Sequence, residues 1–517
     1  MKRISLISAI IAFSAIWLNA QTVFDALKAA DSDLNGSARY SAMAGAFGAL
    51  GGDVSAIKDN PAGLGVFLKS EISLTGDWLS QNAKSQWNDS TNGSNRGKFG
   101  LNNFSLVFAT PLFKTSGLVY SNFSFSYNKI KNFNRSIYIA SRPAYASITD
   151  YYAAKTPINA QGNINFDNEQ YSYLSVMAYQ GYLIDPIFDD EDNLTGWQSL
   201  LKRDEYVVPD YTLKESGGID EYAFTWAGNV SNRFFLGVSL NIRSVNYGLY
   251  SIYNEEFTGG SGMTMHNWVN IKGSGVNANF GLIYVPIDFL RIGASLQTPT
   301  AYYLRVSNYA ELDYVDFQDN NRAKTLETPT GNIVKSSLYS PFQANGSIAV
   351  LFGKNGLLSA EYVYKNYTGM YFASASSGSS ASYAKENNEI GSMLNSTSTF
   401  KLGGEYKVTD NIALRAGYAY ATPAANEHAQ NIPYPSTART DTEYFKNNGS
   451  RYITTGFGYR ESFWYIDFAF TNQSLKETFY AFNPAGNDFS AEYISHIKPA
   501  SVTTNFNNFI VTLGLRF

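Results

Sequence analysis

The residue types that usually carry chemistry are sparse here and badly placed for it. His266, His428 and His496 are the only imidazoles, and they fall far apart in stretches that read as loops. No Gly-x-Ser-x-Gly elbow and no His-Glu-x-x-His accompanies them, so neither a serine hydrolase nor a zinc protease is spelled out. The chain has no Cys, which removes disulfides, thiolate metal sites and a cysteine nucleophile. Asp31-Ser32-Asp33-Leu34-Asn35-Gly36 matches the first half of a calcium loop, but Ala42 stands where a bidentate Glu is needed; it reads as a turn after a helix. The glycines between Gly45 and Gly65 form no nucleotide fingerprint, because no strand-helix unit follows them. The sequence therefore predicts no enzyme, no cofactor and no metal site. Two other groupings remain. Asn60-Pro61-Ala62-Gly63 is a stiff turn: Pro61 fixes its own φ, biases Asn60 to extended backbone, and leaves the Asn60 amide free to bond locally. Tyr171, Tyr173, Leu174, Met177, Tyr179 and Leu183 form an apolar run inside a long polar stretch, readable as a ligand groove or as the core of a loop.

The elements that must position these residues are strands. Of 517 residues, 44% are apolar and only 16% charged, with 38 Tyr and 35 Phe and a net charge of −4. That balance excludes a disordered chain and argues against a nucleic-acid partner, and the aromatic, Asn and Ser content suits strands and polar turns. Met1-Lys2-Arg3, the apolar run Ile4 to Trp17 and the small Ala20 form a signal peptide over residues 1–20. The run is shorter than the roughly 20 residues a spanning helix needs.

An exported strand-rich chain is either a soluble sandwich or a barrel of the outer membrane, and alternation decides. Phe509, Val511, Leu513, Leu515 and Phe517 share one face and Asn508, Thr512, Gly514 and Arg516 the other, with Ile510 the exception. The same pattern recurs thirteen times upstream, predicting fourteen strands. Arg291, Glu361, Lys401, Glu405, Arg415 and Asp467 fall on the inward phase, where they avoid the roughly 2 to 4 kcal/mol that a charge on the lipid face costs. Tight turns at 111–117, 231–233, 286–288, 353–356, 409–411 and 460–462 alternate with long links, as short periplasmic turns alternate with extracellular loops. The fold class expected is all-β: a fourteen-stranded antiparallel transmembrane β-barrel over residues 68–517, its largest loop near 131–218, with residues 21–67 as a small plug, or hatch, in the lumen. The terminal aromatic strand suits recognition by the barrel-assembly machinery. Leu118 and Tyr120 hold one phase and Phe123, Phe125 and Tyr127 the other, so a bulge near Ser121 and Asn122 is expected, with a similar break at Gly273 and Gly275. Asp189-Asp190-Glu191-Asp192 could hold cations that bridge lipopolysaccharide, though a solvated run is the stronger reading.

The run Gly45 to Gly65, ending Asn60-Pro61-Ala62-Gly63-Leu64, resembles the hatch of the long-chain fatty-acid outer-membrane transporter family (FadL/TodX type). The resemblance covers the hatch by motif and the rest by architecture. It implies a monomeric barrel in the outer membrane of a Gram-negative cell, set among outer-membrane lipids and lipopolysaccharide. Such a barrel takes up hydrophobic small molecules without energy coupling. A loop-borne collecting site, a lumenal site beside the hatch and a lateral exit at a kinked third strand complete the implied machinery, with Asn60 to Gly63 as gate and Ser121 and Asn122 as candidates for the exit. The rival is a barrel of the same superfamily that docks or shuttles proteins during secretion; an open porin is disfavoured by the plug.

Overall fold

The structure, a computed structural model, describes residues 21–159, 162–202, 204–316, 322–431, 438–483 and 498–517; the signal peptide and His496 lie outside the described residues. Fourteen antiparallel strands form the wall: β1 (Glu71–Trp87), β2 (Ser90–Pro111), β3 (Leu118–Asn132), β4 (Val207–Val230), β5 (Phe234–Phe257), β6 (Gly262–Ile287), β7 (Leu290–Gln297), β8 (Gln343–Phe352), β9 (Gly356–Asn366), β10 (Ser396–Lys407), β11 (Ile412–Ala421), β12 (Tyr444–Arg460), β13 (Trp464–Tyr480) and β14 (Ala500–Arg516). β14 pairs with β1 from Ser501↔Gln86 to Arg516↔Glu71, which closes the sheet on itself. Closure removes the unpaired edges that a bilayer would not tolerate.

The side chains sort by period two, as the sequence predicts. Phe509, Leu513 and Leu515 are each 53% exposed, while Ile510 between them is 1% exposed and packs on Ala38 and Ala42 of the lumenal segment. The one break in the C-terminal alternation is thus an inward apolar residue with a partner inside the barrel. On β4, β5 and β6 the exposed apolar positions end at Tyr222, Ile242 and Val276, yet these strands run 24 to 26 residues. About 9 to 11 residues cross a bilayer, so their far halves rise beyond the apolar band and carry a cap. The cap holds α3 (Ile148–Lys155), α4 (Tyr173–Gln180) and the hairpin Ile184–Phe188 with Leu194–Ser199, packed on the inner faces of the strand extensions.

Beside local register shifts, two interruptions of the ladder among the described residues bear on the lumen. β7 stops at Thr298-Pro299-Thr300 and resumes as Ala301–Asp316 beside β6; opposite, Ile333–Tyr339 meets β8 across Ser340-Pro341-Phe342. Neither proline has an N–H for the ladder, and the step is sealed by Thr300 N donating to Ser340 Oγ at 2.8 Å and Ser340 N to Thr300 O at 3.0 Å. The phase change expected at Gly273 and Gly275 belongs to this step: β6 itself is continuous, and Gly275 makes room for the Tyr302 ring, which a Cβ there would approach to 2.4 Å. The second interruption lies between β2 and β3.

Candidate functional site

Residues 21–67 fill the lumen with short helices, α1 (Val23–Ala30) and α2 (Ala38–Ala42), and two 3-10 turns, Val54–Lys58 and Pro61–Val66. Thr22 caps α1 through a capping box with Asp25, and Ser37 caps α2. Asn60 is extended, with φ −138°, and caps the second 3-10 turn with Pro61 at its first position. Its Oδ1 accepts from Ala62 N at 3.1 Å, and its Nδ2 donates to Gly48 O at 2.6 Å and to Leu282 O of β6 at 3.2 Å. One amide thus ties the turn to itself, to the rest of the segment and to the wall. Gly51 sits at φ +60° with a would-be Cβ 2.8 Å from Gly63 Cα, so the two chain passes touch only because neither carries a side chain.

The wall is shaped to receive this segment. A Cβ on Gly237 would lie 2.3 Å from Pro61 C, on Gly281 2.0 Å from Asn60 Oδ1, on Gly293 2.3 Å from Gly48 O, and on Gly403 2.5 Å from Met43 O. Gly417 and Gly456 stand as close to Ala44 N and to the Ala42 side chain. These six glycines sit on β5, β6, β7, β10, β11 and β12. The sequence reading missed them, although an inward-phase glycine in an alternating strand marks close approach of backbone.

Every charge expected on the inward phase has a partner. Arg39 of α2 and Arg415 share the Glu405 carboxylate at 2.8 and 2.6 Å, and Arg415 and Arg460 share Asp467 at 2.6 and 2.9 Å. Lys401 lies 2.8 Å from Glu361 and 3.3 Å from Asp59, Gly48 N donates to Glu361 at 2.7 Å, and Arg291 donates to Leu50 O at 2.7 Å. Burial alone would raise the Asp59 carboxyl; Lys401 and Lys58, with the Tyr40 hydroxyl, hold it below the usual carboxylate range. Asp31 and Asp33 receive Lys131 of β3 at 2.7 and 2.6 Å, which accounts for the half-matched calcium loop as a tether.

Above the segment lies a cavity of about 340 Å³. Phe24, Leu27, Ile130, Phe133, Tyr367 and Phe445 supply apolar lining. Most charged groups on its wall are paired, but among the described residues Lys58 and Lys365 have no carboxylate within 4 Å: Lys58 donates to Asn35 O and lies 4.7 Å over the Tyr40 ring, and Lys365 donates to Ser32 Oγ at 2.8 Å. Burial pushes the Lys58 ammonium below its ordinary range, the Asp59 charge opposing. A space with an apolar flank and two lysines outside ion-pair distance of any described carboxylate suits a molecule with a hydrophobic body and an anionic end.

The other sequence-predicted residues fall as follows. Tyr171, Tyr173, Leu174, Met177 and Leu183 are 8% exposed or less, and Leu174, Met177 and Leu183 pack with Ile148, Tyr151 and Val207 in the core of the cap. Only Tyr179 is open, at 37%, against Trp197. Ser121 and Asn122 are paired on both sides, with Thr110 and Ala109 of β2 and with Gly228 and Ala227 of β4; the register shifts toward β4 fall between Leu118 and Tyr120 and between Lys129 and Lys131. Asn122 points inward and donates to Leu64 O at 2.9 Å and Phe67 O at 2.8 Å, holding the end of the lumenal segment, and Ser121 Oγ accepts from Trp226 Nε1 at 3.1 Å.

The wall parts higher up. β2 and β3 pair only from Pro111↔Tyr120 to Asn103↔Asn128. Beyond Asn128 the third strand swings inward, and Arg135–Ala140 continues beside β4 while β2 runs on to Ser90. The gap is laced by side chains: Ser94 Oγ donates to Ser136 O at 2.8 Å, Asn92 Nδ2 to Ala140 O at 3.2 Å, and Lys98 Nζ to Asn134 Oδ1 at 3.0 Å. Phe99, 77% exposed, and Leu101 stand at its foot on the outer face.

No family model and no curated protein matches the sequence. Solved structures do. A FadL homologue of Pseudomonas aeruginosa superposes with a TM-score of 0.53 at 14% identity, covering 94% of this chain and 99% of that one. The toluene transporter TodX of P. putida gives 0.51 at 13% identity over the same shares. A TodX monoaromatic hydrocarbon channel variant gives 0.50 at 13%, covering 94% of this chain and all of that one. The closed fourteen-strand wall and the helical segment within it give this chain the fold of the FadL/TodX-type hydrophobic-compound transporters.

Proposed function

We propose that the protein is an outer-membrane channel for passive uptake of hydrophobic small molecules, with a long-chain fatty-acid-like ligand as the best fit. The observation that carries this reading is the lumenal cavity, apolar on one flank, lined by Lys58 and Lys365 with no carboxylate within 4 Å of either among the described residues, and floored by a segment that packs against the wall on many strands. An apolar solute cannot partition through a sugar-rich leaflet, and an open aqueous pore offers it no favourable site, so a plugged barrel with a binding cavity answers both constraints. Asn60 to Gly63 act as the gate, because a shift of that turn breaks its contacts with Gly48 and β6. The gap between β2 and β3 serves as the lateral exit. The similar structures of a toluene transporter and of a monoaromatic hydrocarbon channel support a hydrophobic cargo. The exposed Ile187 and Phe188 on the cap hairpin favour one second reading, a docking surface for an exported protein.

Equilibrium binding of dodecanoate to the purified protein, followed by intrinsic tryptophan fluorescence, tests the proposal. Saturable binding weakened by Lys365→Gln supports it. Absence of binding, with capture of an exported protein by the loops, supports docking instead.

A further inference from the structure

Where the lumen meets the gap between β2 and β3, one residue stands in both spaces. Glu215 of β4 lines the lumenal cavity and also a depression of about 530 Å³ on the outer wall, which Asn95, Arg96 and Ser216 share. Its side chain is 2% exposed and gathers three elements: Lys28 of α1 at 2.6 Å, Arg135 of the inward-bent third strand, and the Tyr247 hydroxyl of β5 at 2.5 Å. Arg135 in turn binds Glu477 of β13 at 2.8 Å. The main chain of the same residue holds a fourth element: Arg96 of β2 donates from Nη1 to Glu215 O at 2.9 Å and to Arg135 O at 3.2 Å. Along this stretch β2 has no main-chain partner on the β3 side, so side chains alone hold its edge to the rest of the wall.

We propose that Glu215 is a latch that couples the position of α1 to the lateral opening. The inference rests on the uptake reading and deepens it by naming what keeps the exit shut. Phe24, Leu27 and Lys28 of α1 all line the cavity, so a ligand settling there displaces the helix that carries Lys28. Removing Lys28 leaves the buried Glu215–Arg135 pair short of one charge-assisted bond, and such pairs are stable only when fully satisfied. The inward-bent strand, joined to Glu215 by the Arg135 side chain and by the Arg135↔Glu215 ladder pair, then shifts with the carboxylate, and the Arg135 and Glu215 carbonyls that receive Arg96 move with it, which loosens the β2 edge. Glu215 is a positioning residue: it need not touch the cargo.

The absence of native Cys allows a direct test. Spin labels at Asn95→Cys and Ser216→Cys, on opposite lips of the outer depression, report the width of the gap in the reconstituted full chain by pulsed electron resonance. In the otherwise unchanged protein the labels give one short distance, and saturating dodecanoate adds a longer one. Lys28→Gln and Arg96→Gln each give the longer distance without dodecanoate, its population raised about tenfold or more by loss of a charge-assisted bond, while Lys28→Arg restores the short one. Glu215→Gln behaves like Lys28→Gln; because it leaves Arg135 buried and underpaired, the two milder variants decide if it fails to fold. Retention of the short distance by Lys28→Gln and Arg96→Gln, with or without dodecanoate, overturns the latch. Failure of dodecanoate to bind the unchanged chain strikes the uptake reading instead, and leaves the latch to be judged on the probe-free distances.

Discussion

Replacing Asn60 by Ala removes a cap, a tie across the lumenal segment and a tie to the wall in one step. The side chain accepts from Ala62 N and donates to Gly48 O and Leu282 O, in a residue only 1% exposed. A buried group left without its partner costs about 1 to 3 kcal/mol, and loss of an N-cap about 0.5 to 2 kcal/mol. These overlap, because the Ala62 bond is the cap. With that overlap counted once, and with both Gly48 O and Leu282 O losing their donor, a net of about 2 to 4 kcal/mol is expected, borne by the 60–66 turn rather than by the barrel. At 1.4 kcal/mol per factor of ten, the population in which the turn has left its seat rises roughly 30- to 1,000-fold. Hydrogen exchange should show Ala62 and Gly63 amides exchanging faster by that factor while strand amides are unchanged. In planar bilayers the variant should flicker to a conducting state that the parent does not visit. Unchanged exchange at Ala62, or faster exchange spread evenly over the wall strands, would refute the argument that Asn60 fastens the turn.

Gly237→Ala forces a Cβ to within 2.3 Å of Pro61 C, where only backbone can yield. Overpacking typically costs about 1 to 3 kcal/mol, so the same conducting state should appear, whereas Gly346→Ala, with open space around it, should match the parent. Arg415→Met takes one of two cations from Glu405, which keeps Arg39, and one of two from Asp467, which keeps Arg460, so the cost stays below that of a buried pair broken outright, about 3 to 5 kcal/mol; the folded band in heat-modifiability gels should convert to the unfolded one at lower temperature. Asp59 titrates below the usual carboxylate value of 3.8. A depressed carboxyl contributes its full stability above the ordinary value and loses it as pH falls through the depressed one. Exchange of amides 56–60 should therefore quicken from about pH 4 downward, and Asp59→Asn should show that quickening already at neutral pH. Lys58→Gln should weaken dodecanoate binding while leaving toluene binding within a factor of two, since only the former carries an anion for the ammonium.

The wall was legible in the sequence because one physical rule governs every strand. Lipid outside and polar lumen inside write a period of two, and the turns Ser231-Asn232-Arg233 and Thr409-Asp410-Asn411 interrupt it where the chain reverses. The inward charges were legible for the same reason, although their partners were not, since Arg39 meets Glu405 across 366 positions of chain. The apolar run from Tyr171 to Leu183 shows the limit of composition: buried core and open groove use the same side chains, and only packing assigns most of them to the core of the cap. The sequence shows the phase change in the third strand but points to Ser121 and Asn122 for its consequence. The strand keeps both ladders there and parts from β2 only above Asn128, where Arg135–Ala140 trades β2 for the lumen. Glu215 carried no sequence signal at all, because its importance comes from four elements distant in sequence converging on one carboxylate and one carbonyl.

The central claim is that the lumenal cavity holds a hydrophobic small molecule, and native mass spectrometry measures this most directly. Ala419 is 3% exposed and lines the cavity, so Ala419→Phe fills space there without altering a charge. The unchanged protein, stripped of detergent after exposure to dodecanoate, should retain one bound equivalent, and Ala419→Phe should retain none while keeping its folded mass distribution. Equal occupancy in the two proteins, or an unoccupied barrel in both, would contradict the account.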